Sequence, residues 1–308
     1  MSERAEPRAP ADHTSSTGRA AGWAAIALSV IIWAGYLVLA RGVARQELSP
    51  AEIGALRFVP AALLFAPVWL RWGLKPARIR WRDAIIVGGA GGFGLVGFLA
   101  AGLAFAPAAD GGVLTPATMP LFVAILARLL LGERFGALRR LGFGLILLGA
   151  IVIAGRELAV GGNGAWRGHL LLLCAALSWA AYTLAYRISG MTPAEGAAII
   201  ALWAGIGFVI WLAAEGFPLA GHGWRFIGFH ILAQGVLTGF VATLAFHFAL
   251  ARLGTTRCAA LAALVPGLAA LGAWLALGEP VGPVRLAGLL LASAGVVLAS
   301  GALRRGGG

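Results

Sequence analysis

Acid and cysteine are scarce in this chain. Of 308 residues, 12 are Asp or Glu, two are Cys, and charged residues of both signs make up only 12%. A soluble domain usually carries about 25% charged residues, so the shortage argues against a water-soluble fold. No acid falls deep in an apolar run: Asp83, Asp110, Glu133 and Glu279 all sit where runs end. That excludes a carboxylate proton relay at membrane depth and the paired carboxylates of acid–base catalysis. Cys174 and Cys258 lie in apolar runs without metal-ligand spacing, so neither a disulfide framework nor a thiolate metal site is implied. The zinc-protease His-Glu-x-x-His, the nucleophile elbow and the phosphate-binding loop are missing. No enzyme class is indicated, and no cofactor.

What fills the chain is apolar. Hydrophobic residues make up 60%, and the stretches 22–40 and 84–109 contain no charge. About 20 apolar residues cross a bilayer as a helix. A β-barrel needs alternating polarity, which continuous runs lack. The formal charge of +12 is the loop Lys and Arg of a membrane protein rather than a nucleic-acid surface. Residues 1–21 read as a disordered polar tail. The first run is longer than a secretory signal core and ends in Arg41, so it is read as a retained span.

Cutting at charges and turn residues predicts helices at 22–40, 50–70, 83–104, 107–131, 138–155, 168–187, 193–214, 225–250, 254–277 and 284–302. Ser49-Pro50 and Thr192-Pro193 supply an N-cap followed by Pro, with Glu52 and Glu195 in the first turns. With the N-terminus in the cytoplasm, 16 of the 24 Lys and Arg fall inside and 6 outside, while Arg57 and Arg128 lie within spans. That bias orients the chain with both termini in the cytoplasm of a cell, or inner, membrane.

The same half occurs twice, 146 residues apart. In the window 120–155, 13 of 36 positions recur at that offset, among them Pro120, Gly132, Glu133, Arg139, Gly142 and Gly149. The offset also maps Trp33 and Tyr36 onto Trp179 and Tyr182, and Arg41 onto Arg187. Five spans per copy force the second copy to enter the membrane upside down. The fold class is therefore an all-α polytopic membrane protein, ten transmembrane helices as two inverted five-helix repeats, 22–155 and 168–302. A linker at 156–167 joins them and a tail, 303–308, follows. Inverted repeats of this kind are a common basis of alternating access.

Several residues are candidates for the transport path. Trp33 and Tyr36 share a helix face, as do Trp179 and Tyr182. Each Trp lies about 11 residues into its span, ~16 Å deep at ~1.5 Å per residue, away from the interfacial belts. Aromatic walls in both halves suit a substrate with a ring or an apolar body. Pro116 and Pro120 in the fourth span, and Pro266 at the mate of Pro120, break helices at matching positions, as binding helices of transporters do. Polar candidates are Thr115, Thr118, Gln234 and His247; His230, Gln234 and Thr238 form one stripe. The seven-residue spacing of Gly142/Gly149 and Gly288/Gly295 predicts close helix packing. Arg57 is expected to snorkel or to pair with Glu52.

These features together resemble the drug/metabolite transporter superfamily, in particular proteins with two EamA domains. The resemblance rests on Ile32-Trp33-Ala34-Gly35-Tyr36, Ala55-Leu56-Arg57-Phe58, Pro120 through Leu131-Gly132-Glu133-Arg134, Arg139-Arg140-Leu141-Gly142, and Pro266 through Leu277-Gly278-Glu279-Pro280 with Gly288 and Gly295. It covers about 20–302. It implies a central cavity built by helices one, three, four, six, eight and nine, and export of amino acids, drugs or other small metabolites. Ala34-Gly35-Tyr36 departs from the usual Gly-Ser/Thr after Trp, which implies a bulkier, less polar site. The Gly-Glu pairs at 132–133 and 278–279 read as helix ends closed against the next Arg. The expected partners are a small-molecule substrate and the lipid bilayer, with no nucleic acid; a homodimer is compatible with the chain.

Overall fold

Turn chemistry sets the helix ends. A computed structural model of the chain describes residues 16–44, 48–160, 164–253 and 255–300. Among them every regular element is helical. The main helices are α1 (Ser16–Ala44), α2 (Pro50–Leu64), α3 (Trp81–Phe105), α4 (Ala108–Leu131), α5 (Ala137–Val160), α6 (Ala165–Ser189), α7 (Pro193–Ala214), α8 (Trp224–Phe246, helical on to Leu253), α9 (Val265–Leu277, preceded by Thr255–Ala262) and α10 (Pro283–Ser300). Both expected N-caps form complete capping boxes. The Ser49 hydroxyl accepts from the Glu52 amide and the Glu52 carboxylate accepts from the Ser49 amide; Thr192 and Glu195 repeat this.

Among the described residues, eight helices are long and apolar enough to cross a membrane by length and composition. The other two expected spans are shorter, for a local reason. α2 stops at Phe65 because Pro67 has no amide to continue the ladder, and a short turn, Ala66–Trp69, follows. In the ninth expected span Pro266 interrupts the chain in the same way, leaving Val265–Leu277. The fourth helix breaks at Thr118, before Pro120. Thr118 and Leu264 are repeat mates, so the interruption recurs in both halves. Wide turns of the i→i+5 type also recur, over Ile86–Gly94 in α3 and Ile231–Val241 in α8.

α4 and α9 end alike. Gly132 and Gly278 take the left-handed conformation, φ +67° and +64°. The next amides, of Glu133 and Glu279, donate back to Ala127 O and Ala273 O at 3.3 Å. This Schellman-type end needs a residue tolerant of positive φ, hence glycine, and it fixes where each glutamate emerges.

α5 and α10 meet backbone to backbone. A Cβ built on Gly142 would lie 2.5 Å from the Ala299 amide nitrogen, and one on Gly295 would lie 2.6 Å from Gly142 O. One on Gly149 would lie 2.6 Å from Gly288 O. Contacts thus pair Gly142 with Gly295 and Gly149 with Gly288, an antiparallel crossing in which close approach replaces the hydrophobic drive that lipid removes. Large apolar side chains such as Leu129, Leu130, Leu275 and Leu290 point outward and are exposed, the inverse of a soluble core.

Candidate substrate cavity between the two halves

The helices enclose a cavity of about 570 Å³, within the range of ligand pockets, about 300–1,000 Å³. Trp33, Tyr36, Trp179, Tyr182, Thr115, Pro116, Pro120 and Pro266 all line it. The aromatics come in mutually braced sets. The Trp33 ring lies 5.0 Å from Phe246, and Trp179 lies 5.0 Å edge-on from Tyr182, which in turn stands 6.0 Å from Tyr186. Room for Tyr182 comes from Gly91, where a Cβ would fall 2.8 Å from the ring. The glycine run of α3 therefore shapes the cavity wall as well as packing helices.

Four predicted polar residues diverge. Thr115 reaches the wall, but its hydroxyl donates to Leu172 O at 3.0 Å, tying α4 to α6. Thr118 donates to Leu114 O, within its own helix. Gln234 is fully buried away from the cavity, its Nε2 3.1 Å from His230 Nδ1. The side chain of His247 lies outside the described residues. From α8 the cavity receives Gly239, Thr243 and Phe246 instead.

Helices two and seven also line the cavity, beyond those the resemblance implied. From α2 come Arg57 and Phe58. Arg57 does not pair with Glu52. The Glu52 carboxylate is taken by the Ser49 amide at 2.8 Å and faces His222 at 3.5 Å. The Arg57 guanidinium instead lies over the Tyr36 ring, Cζ 4.4 Å from the centroid. Arg57 Nε and Tyr36 Oη are buried; the hydroxyl faces the guanidinium, and neither atom has another hydrogen-bond partner among the described residues. The sequence signal was available: Arg57 is one of only two basic residues inside a predicted span.

Two repeat-related ion pairs differ in exposure. Arg41 Nε donates to Glu279 Oε1 at 2.8 Å, and its Nη1 reaches Leu103 O at 2.6 Å. Glu279 Oε2 also accepts from the Ala108 amide at 3.1 Å. Nearby on α4, the fully buried Asp110 accepts from His169 at 3.0 Å and from Arg285 at 2.9 Å. None of these groups is among the cavity's lining residues. Elsewhere, Glu133 and Arg187 pair at 2.6 Å. The second pair is the repeat mate of the first, with the halves exchanged. Side-chain exposure is 9% and 12% for Arg41 and Glu279 but 58% and 29% for Arg187 and Glu133. Only the Glu133–Arg187 pair lines the cavity. Each glutamate reaches an arginine of the opposite half.

The EamA-like transporter family matches this chain twice, over residues 20–155 and 166–301. The chain belongs to the EamA-like transporter family. It is a multi-pass membrane transporter, not an enzyme. It is 31% identical over 151 residues to the uncharacterized transporter YoaV of Bacillus subtilis (strain 168), a match covering 48% of this chain and 51% of that one. The match thus spans about half the length of that relative. It is 30% identical over 290 residues to a protein of Streptantibioticus cattleyicolor described as a "probable terminal-alkyne amino-acid exporter", covering 89% of this chain and 91% of the other. A solved crystal structure superposes with a TM-score of 0.62 at 20% identity, covering 93% of this chain and 99% of that one, a likeness of fold.

Proposed function

We propose that this EamA-like transporter is a secondary exporter of small apolar or amphipathic metabolites, amino acids among them, working by alternating access. One observation carries the reading. A cavity lined by matched aromatics of both halves reaches the exposed Glu133–Arg187 pair, while the nearly buried mate pair, Arg41–Glu279, does not join its lining. The excess of Lys and Arg assigns the open end to the cytoplasm, where an exporter loads. The amino-acid exporter among its relatives supports the substrate class.

Ten spans in inverted halves, 22–155 and 168–302, with both termini in the cytoplasm of the inner membrane, complete the proposal. The antiparallel contact of α5 with α10 and the exchanged ion pairs support inversion, since a two-fold axis in the membrane plane relates each to itself or to its mate. In the cycle the Arg41–Glu279 end opens as the Glu133–Arg187 end closes. Trp33 and Trp179 hold the substrate body; Pro116, Pro120 and Pro266 supply the helix breaks beside it. Thr115 ties the broken helix to α6, and Thr118 bonds back to Leu114 O beside the break.

The test is flux into and out of proteoliposomes of purified protein across a panel of amino acids. Saturable, structure-selective transport is expected. Non-saturable flux would indicate a channel, and no flux for any solute would overturn the transport reading for this cavity.

A further inference from the structure

Arg57 lies in the cavity wall with no acid to balance it. Arg187 is paired with Glu133 and Arg139 donates to Ala299 O at 2.9 Å, but among the described residues Arg57 makes no ion pair. Its Nε is buried and has no hydrogen-bond partner. Beside it, Tyr36 is only 4% exposed, lines the same cavity, and its buried hydroxyl faces the Arg57 guanidinium with no other partner among the described residues. Unsatisfied donors and an uncompensated charge at membrane depth are costly unless something supplies the missing acceptor.

We propose that Arg57 and Tyr36 form the carboxylate subsite of this transporter, and that its substrates are monocarboxylates with an apolar or aromatic body, apolar amino acids included. The inference rests on the cavity being the transport site and names what it takes. A guanidinium offers its Nε and one Nη side by side, the fork that fits a carboxylate. The Tyr36 hydroxyl donates a further bond. Among the lining arginines, Arg187 has an acid and Arg139 a backbone carbonyl, so Arg57 is the one whose fork is left for a carboxylate. The substrate body then meets Trp33, Trp179 and Tyr182, whose faces accept an apolar group and also the ammonium of an amino acid.

Binding to the purified full-length protein, by calorimetry and thermal shift, tests this with three probes: 3-phenylpropanoate, L-phenylalanine and phenethylamine. The two acids are expected to bind at least tenfold more tightly than the amine. Arg57→Gln should weaken both acids at least tenfold and leave the amine unchanged. Arg57→Lys, which keeps the charge without the fork, should fall between. Tyr36→Phe removes only a hydroxyl and keeps the test available if Arg57→Gln does not fold; it should weaken the acids severalfold and not the amine. Equal binding of acids and amine, unchanged acid binding by Arg57→Gln or Tyr36→Phe, or no binding of any probe overturns the assignment. Failure of the underlying cavity reading looks different: the double variant Trp33→Ala, Trp179→Ala would then bind every probe like the parent protein.

Discussion

Arg41 and Glu279 form an ion pair 2.8 Å long across 238 residues of sequence, and it is nearly buried. Its mate, Arg187 with Glu133, is largely exposed. The two pairs have one chemistry in two environments, which makes them a controlled comparison. Removing one partner of a buried pair leaves an uncompensated charge and costs about 3–5 kcal/mol, whereas an exposed pair is worth about 0–1 kcal/mol. Glu279→Ala should therefore lower the unfolding temperature far more than Glu133→Ala. The contrast is measured by thermal unfolding of the two variants in one detergent. Equal shifts would mean that the two ends are equally open in solution.

The α5–α10 crossing gives a packing prediction. A side chain on Gly142 or Gly149 meets backbone atoms at 2.5–2.6 Å, and backbone cannot rotate away. Gly142→Val and Gly149→Val should destabilise by more than the ~1–3 kcal/mol of ordinary overpacking. Gly144, where a Cβ has nothing within 4 Å, is the control: Gly144→Ala should fold normally. The fraction of monodisperse protein on size exclusion reads the difference.

Asp110 tests the buried polar cluster on α4. It is fully buried and bonded to both His169 and Arg285. Asp110→Ala strips both partners of their acceptor and should cost about 3–5 kcal/mol. Asp110→Asn keeps an acceptor oxygen and should cost less. Thermal unfolding of both variants ranks them; the reverse order would show that an acceptor oxygen at this position is not what holds this layer together.

Much of the architecture could be read from the residues because lipid restricts the choices. Continuous apolar runs allow only helices, and recurring Trp33/Trp179 and Gly-Glu motifs point to EamA kinship. Glu133 and Glu279 were readable as helix ends, since glycine must precede them to take positive φ. Their partners were not, because an ion pair across 238 residues leaves no local periodicity. Arg57 was misjudged for a related reason. Glu52, near it in sequence, looked available, yet the capping box on Ser49 consumes that carboxylate. The stripe of His230, Gln234 and Thr238 was visible as one face. Where the face points depends on the wide turn over Ile231–Val241, in which Thr238 donates to Ala233 O, five residues back.

The most direct test of the aromatic cavity as the transport site is counterflow of labelled apolar amino acids in proteoliposomes, comparing the parent protein with the double variant Trp33→Ala, Trp179→Ala. Each ring removed from a ligand contact costs about 0.5–1.5 kcal/mol beyond lost area. The double variant should therefore fold yet lose at least tenfold in transport efficiency. A folded double variant that transports like the parent protein would contradict the proposal.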